Sequence, residues 1–149
     1  MYTNVHATVG TAIVMATYGL TKNELVAGTV GGVLAFASHD VVDRLGETSY
    51  GTFKQFLKME FTLLTLFVFS AIISGFWELF AVGWVGGNAM DLIDKKGGLS
   101  IIDKKKYPFT SYFKCHRRKP DIMFDRDMTY KAAYISGALI VLIGIISNL

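Results

Sequence analysis

The chain has 149 residues, of which 52% are hydrophobic and only 18% charged, with a formal net charge of +3. That length suggests a single domain, residues 1–149, and the charged share lies below the soluble norm of about a quarter. Placement says more than amount: residues 7–21, 25–39 and 132–149 contain no Lys, Arg, Asp or Glu, and residues 61–90 contain only Glu78. Intrinsic disorder is excluded and an ordinary soluble globule is disfavoured. The pattern is that of a small integral membrane protein.

The opening MYTNVH lacks the positive n-region of a signal peptide, so the first apolar segment is expected to remain in the mature protein. Residues 7–21 and 25–39 each make roughly 22 Å of helix. A bilayer crossing needs about 20 residues, so both are short for independent spans. Between them, Thr21-Lys22-Asn23-Glu24 has the Thr-x-x-Glu form of a capping box. The reading is a tight helical hairpin with short arms.

Residues 61–90 read either as one long tilted helix or as a second hairpin broken near Ser74-Gly75. An internal repeat favours the hairpin. Glu24-Leu25-Val26-Ala27-Gly28-Thr29-Val30-Gly31-Gly32 resembles Glu78-Leu79-Phe80-Ala81-Val82-Gly83-Trp84-Val85-Gly86-Gly87, with one residue inserted. Each copy is followed by an acidic run, Asp40-Val41-Val42-Asp43-Arg44 and Asp91-Leu92-Ile93-Asp94-Lys95. Repeats of this kind constrain topology before any fold is assigned. With two hairpins, His6, His39 and both acidic runs emerge at one end. The last segment, residues 130–149, is long enough for a transmembrane helix, and its small residues lie near its start. The expected fold is an all-α integral membrane bundle of four to five helices: two short hairpins plus a C-terminal transmembrane helix.

Residues 95–128 form a basic, aromatic-rich interfacial loop. Residues 95–126 alone hold 10 of the 15 Lys and Arg residues against three acids, so the positive-inside rule makes the loop cytoplasmic. Lys95-Lys96-Gly97-Gly98 reads as a helix stop, and Pro108 and Pro120 mark irregular chain. Lys104-Lys105-Lys106, Lys114 and Arg117-Arg118-Lys119 interleave with Tyr107, Phe109, Tyr112 and Phe113. Beside a membrane that pattern suits anionic lipid headgroups, and no nucleic acid is expected. The expected location is the plasma or inner membrane, or a virion membrane. The Gly-rich helices are the expected contacts for protein partners.

The polar residues left at the helix ends carry the chemistry. Asp at i and i+3 share a helical face, so Asp40/Asp43 and Asp91/Asp94 with neutral imidazoles give a mixed nitrogen and oxygen site. Such a donor set suits a divalent metal: zinc first, with manganese and iron as alternatives. It would activate water and polarise an ester or phosphoryl oxygen. The four carboxylates and three imidazoles also exceed what one ion needs. Cys115, the single cysteine, cannot form an intrachain disulfide and reads as a free thiol without function.

These motifs resemble the membrane-bound metal-dependent hydrolase family, itself distantly similar to zinc phospholipase C. Its members carry an N-terminal Thr-His, a Pro-Asp-x-Asp-His run, a His-Arg loop and a His-Leu-Leu-x-Asp run. Here His6 matches the first, Asp91 and Asp94 the second, His116-Arg117 the third, and His39 with Asp43 the last. The resemblance implies the ligand set His6, His39, Asp43, Asp91, Asp94 and His116. Val5 replaces the threonine, Met90 the proline and Lys95 the second-motif histidine, and the His-x-x-x-Asp run comes before Asp-x-x-Asp.

The function expected is metal-dependent hydrolysis of a phosphoester or lipid-linked substrate at the cytoplasmic membrane face. Arg117 would hold an anionic group, and Asp40, outside the family match, is the general-base candidate. The alternative is a non-catalytic structural or accessory protein of a larger membrane assembly or virion. A pore-forming lysis protein fits the size but leaves the histidines and paired acids unexplained.

Overall fold

The structure, a computed structural model, describes residues 3–47, 51–96, 99, 103, 105–108 and 111–149. Five long helices lie among them: α1 (Thr3–Thr21), α2 (Glu24–Val42), α3 (Phe53–Ser74), α4 (Trp77–Asp94) and α5 (Arg126–Ser147). Two hairpins followed by a C-terminal helix is the expected all-α topology. The break between α3 and α4 falls at Gly75, whose φ of 72° is a conformation that glycine adopts without penalty.

The helices are longer than the charge-free runs imply. Helix α2 has 19 residues and α3 and α5 have 22 each, and these three are long and apolar enough to cross a membrane. Local capping sets the true starts. Thr52 and Gln55 form a complete capping box ahead of α3, so that helix begins eight residues before Phe61 and takes in Lys54, Lys58 and Glu60. Asp125 accepts the N–H of Met128 at 2.8 Å and starts α5 at Arg126 rather than Tyr130. Asn23, not Thr21, caps α2 by accepting from Val26 at 3.1 Å. Thr21 instead donates back to Thr17 within α1. Helix α2 also contains a π-helical stretch at Ala27–Gly31.

Helix α1 packs most extensively on α4, and also against α2 and α5. Gly10, Gly83 and Gly87 make the first contact possible. A Cβ on Gly83 would strike the Thr11 backbone, and one on Gly87 would strike the His6 carbonyl. Small residues four apart are how membrane helices bring backbones together. Polar glue adds to it on the other side, where Ser136 of α5 donates to Thr8 of α1 at 2.8 Å.

The loop has more structure than expected. Leu45–Glu47 (β1) pairs in parallel with Ile122–Phe124 (β2), Leu45 opposite Ile122, and a 3₁₀ turn forms at Cys115–Arg117. The helix stop at Lys95 holds, with its N–H bonded to Asp91, whereas Gly97 and Gly98 lie outside the described residues, as do Lys104 and Phe109. The start of α1, the ends of α2 and α4 and the Cys115–Arg117 turn meet at one end, through His6, Asp43, Asp91 and His116.

This topology predicts the outcome of impermeant-maleimide labelling. Cysteines introduced at Lys22 and Glu78 should label from one membrane side, and those at Asp40 and Lys119 from the other. Labelling of Asp40 and Glu78 from the same side would contradict the two-hairpin arrangement.

Candidate metal centre

His39 lies on the last turn of α2, and Asp43 follows four residues later as the C-cap. Four residues rotate a helix by about 40° beyond a full turn, so the two share a face, whereas Asp40 is turned about 100° from His39. His39 Nε2 lies 3.3 Å from Asp43 Oδ2. His6 enters from the first turns of α1, with Nε2 3.5 Å from Asp43 Oδ1 and its ring stacked on His39 at 4.2 Å. Asp91, on the last turn of α4, places Oδ1 3.9 Å from His39 Nε2. His116 is delivered by the 3₁₀ turn, with Nε2 3.2 Å from both Asp43 Oδ2 and His39 Nε2, and 3.3 Å from Asp91 Oδ1.

The other ring nitrogens define tautomers. His39 Nδ1 lies 2.6 Å from the Gly87 carbonyl, which can only accept, so Nδ1 carries the proton and Nε2 presents a lone pair. His116 Nδ1 donates to Asp94, whose carboxylate also accepts the backbone N–H groups of Tyr112 at 2.8 Å and Phe113 at 3.2 Å. Backbing of a ligand imidazole by a carbonyl or carboxylate is the usual outer shell of a metal site. His6 Nδ1 is buried without a hydrogen-bond partner.

His6 and His39 are almost wholly buried, at 1% and 0% exposure. Carboxylates gathered there with imidazole lone pairs require a positive charge among them. A proton on His116 supplies it. Burial opposes that charge, but hydrogen bonds to Asp43, Asp91 and Asp94 outweigh it and lift His116 to about 10. Burial likewise works against ionised Asp43, yet the hydrogen bond from protonated His116 holds it far below the usual carboxylate range. Lys95 adds a second cation at the edge, 2.6 Å from Asp91.

Two overlapping donor groups could each hold an ion: His39, Asp43, Cys115 and His116, and His6, His39 and Asp91. Five residues of the expected ligand set thus converge. Asp94 is turned away from the shared centre and holds His116 from behind. Asp40 and Arg117 lie outside as well. Asp40 faces solvent between Arg44 and Arg118, at 3.9 and 3.6 Å, and Arg117 donates to the Tyr112 carbonyl at 2.9 Å. Cys115 is the residue that sequence reasoning passed over. It is buried with Sγ 3.6 Å from Met90 Sδ, and burial and Asp43 push its thiol up to about 11. Its only sequence signal is adjacency to His116.

The chain matches no known family model, no curated protein and no solved structure. The likeness to membrane-bound metal-dependent hydrolases therefore rests on the short sequence motifs alone.

Gly87 couples packing to the site, since the carbonyl that fixes His39 belongs to the residue that lets α4 reach α1. Gly87→Ala should lower the unfolding free energy by about 1–3 kcal/mol, the usual range for overpacking. A lower Tm in detergent measures it. An unchanged Tm would show that the helices are less tightly joined.

Proposed function

We propose that the protein is a metal-dependent hydrolase acting at the cytoplasmic membrane face on a phosphoester or lipid-linked substrate. The observation that carries this reading is the pair His39 and His116. Their Nε2 atoms stand 3.2 Å apart with Asp43 Oδ2 within 3.3 Å of both, and each Nδ1 is already engaged. His6, His39, Asp43, Asp91 and His116 would hold the ion, with Cys115 as a further donor, and Asp94 would orient His116. Mixed imidazole and carboxylate donors suit zinc, with manganese or iron as alternatives. A divalent ion there would supply Lewis acidity, polarising a phosphoryl or ester oxygen and acidifying water.

The chain's own residues suit an anionic substrate. Lys95 contacts Asp91 at the edge of the carboxylate cluster, Arg44 and Arg118 flank the neighbouring Asp40, and Arg117, exposed and next in sequence to His116, is the assigned contact for a phosphate group. Asp40 is already paired with Arg44 and Arg118, so no proton transfer is assigned to it. The same basic rim, with Tyr107, Tyr112 and Phe113, would rest against anionic headgroups.

One observation favours a second reading. Lys95 Nζ already contacts Asp91 at 2.6 Å and supplies internally part of the charge a metal would bring. A cluster neutralised by Lys95 and protonated His116 would be structural, as in an accessory subunit of a membrane assembly or virion.

Elemental analysis of the detergent-purified chain separates the two. The hydrolase reading expects a stoichiometric divalent ion, lost in His39→Ala and Asp91→Ala, and chelator-sensitive cleavage of a chromogenic phosphodiester. Asp94→Asn should retain the fold and weaken metal affinity about 10–100-fold, the usual cost of removing an outer-shell partner. Absence of stoichiometric metal in the wild type leaves the structural reading.

A further inference from the structure

The donors around His39 fall into two sets. Ligand atoms of His39, Asp43, Cys115 and His116 lie within 4.8 Å of one another, and so do those of His6, His39 and Asp91. Donors held at about 2.0–2.3 Å by one ion are at most about 4.6 Å apart, which is the scale of each set. Only His39 belongs to both.

His39 can serve one ion at a time. An imidazole joins two metal ions only through both of its nitrogens, with neither protonated. Its Nδ1 lies 2.6 Å from the Gly87 carbonyl, a pure acceptor that keeps a proton there. One lone pair remains, on Nε2. The two sets also differ in chemical kind. The first includes Cys115, buried with its Sγ 3.6 Å from the Met90 thioether, and a thiolate selects soft or borderline ions such as zinc. The second has no sulfur. Two imidazoles and one carboxylate are the donor combination of iron(II) sites, and the carboxylate also suits manganese(II).

We propose that the centre offers two mutually exclusive cation positions, a thiolate-bearing one for zinc and a sulfur-free one for manganese or iron, and that His39 is the ligand for which they compete. This deepens the metal-dependent reading of the centre and rests on it. The surplus of carboxylates and imidazoles then serves alternative ions and not two ions together. An ion in the first position replaces the S–H proton of Cys115 and the Nε2 proton of His116, both of which leave to solvent, and takes Asp43 as its oxygen ligand. An ion in the second position leaves Cys115 a thiol and His116 protonated between Asp43 and Asp91. Zinc is therefore the competitor of the other ion and not its companion.

The test uses the full chain in nanodiscs, stripped with a chelator, and reads binding and not hydrolysis. Manganese(II) loses its sharp paramagnetic resonance lines when bound. A stoichiometric amount should bind, and an equal amount of zinc should return it to solution. Cobalt(II), used in place of zinc, should give the near-ultraviolet charge-transfer band of a cobalt–thiolate bond. In Cys115→Ser that band should vanish while manganese binding is unchanged. Releasing manganese there should take at least about tenfold more zinc, because losing a ligand costs no less than losing an outer-shell partner. His39→Ala should weaken both ions. Zinc and manganese held together overturn the proposal, as do zinc binding without a cobalt–thiolate band and unaltered zinc competition in Cys115→Ser. Those outcomes leave the hydrolase reading standing, whereas a chain that binds no ion overturns both. Should Cys115→Ser fail to fold, the cobalt band and the zinc–manganese competition in the wild type decide.

Discussion

The close approach of α1 and α4 is the constraint on which the rest of this molecule depends. Gly10, Gly83 and Gly87 leave no side chain between the two backbones. The same contact brings His6 on α1 toward Asp43 and leaves the Gly87 carbonyl free to accept His39. In a wider bundle, His39 would lose the acceptor that fixes its tautomer, and the ring would be free to flip. Packing and site chemistry are thus set by one glycine. Substituting it cannot change only one of them.

Electrostatics impose the complementary demand. Desolvating carboxylates is costly unless opposite charge lies within hydrogen-bond distance. The cluster meets that demand by placing Asp43 and Asp91 against protonated His116, Asp91 also against Lys95, and Asp94 against His116 and two backbone N–H groups. Removing a single partner would leave a buried charge uncompensated. The histidines and acids therefore act as a unit, and single substitutions there are expected to be non-additive.

Much of this was legible in the sequence because membranes make hydrophobicity and charge segregate. Three charge-free runs and the stretch 61–90 marked where the helices lie, with four or five of them expected, and Ser74-Gly75 was the candidate break that the structure shows between α3 and α4. Convergence of His6, His39, Asp43 and Asp91 followed from a topology of two hairpins. Helix lengths were less legible, because a helix continues past its first charge until a cap intervenes, as at Thr52 and Asp125. Side-chain direction was least legible. Asp94 shares a face with Asp91 along an ideal helix, but at the C-terminal end of α4 the backbone of Tyr112 and Phe113 claims it. Nothing local to α4 records that long-range contact. Cys115 and the β1–β2 pair were hidden for the same reason, since both depend on how the loop folds back.

The loop completes the centre and is held in place by it. Asp94 binds the chain just before the 3₁₀ turn, His116 enters among the carboxylates, and Cys115 packs on Met90. On the far side, β2 is tied to β1, and the N–H groups of Asp121 and Ile122 bond to the Arg44 carbonyl. The chain on both sides of His116 is therefore anchored to the ends of α2 and α4, which supply Asp43 and Asp91. An ion binding between His39 and His116 would bridge loop and bundle directly and stabilise the folded chain through its preference for that state. Without such an ion, the same bridge consists of hydrogen bonds from a protonated imidazole. The loop's order and the charge state of the centre are consequently one coupled property.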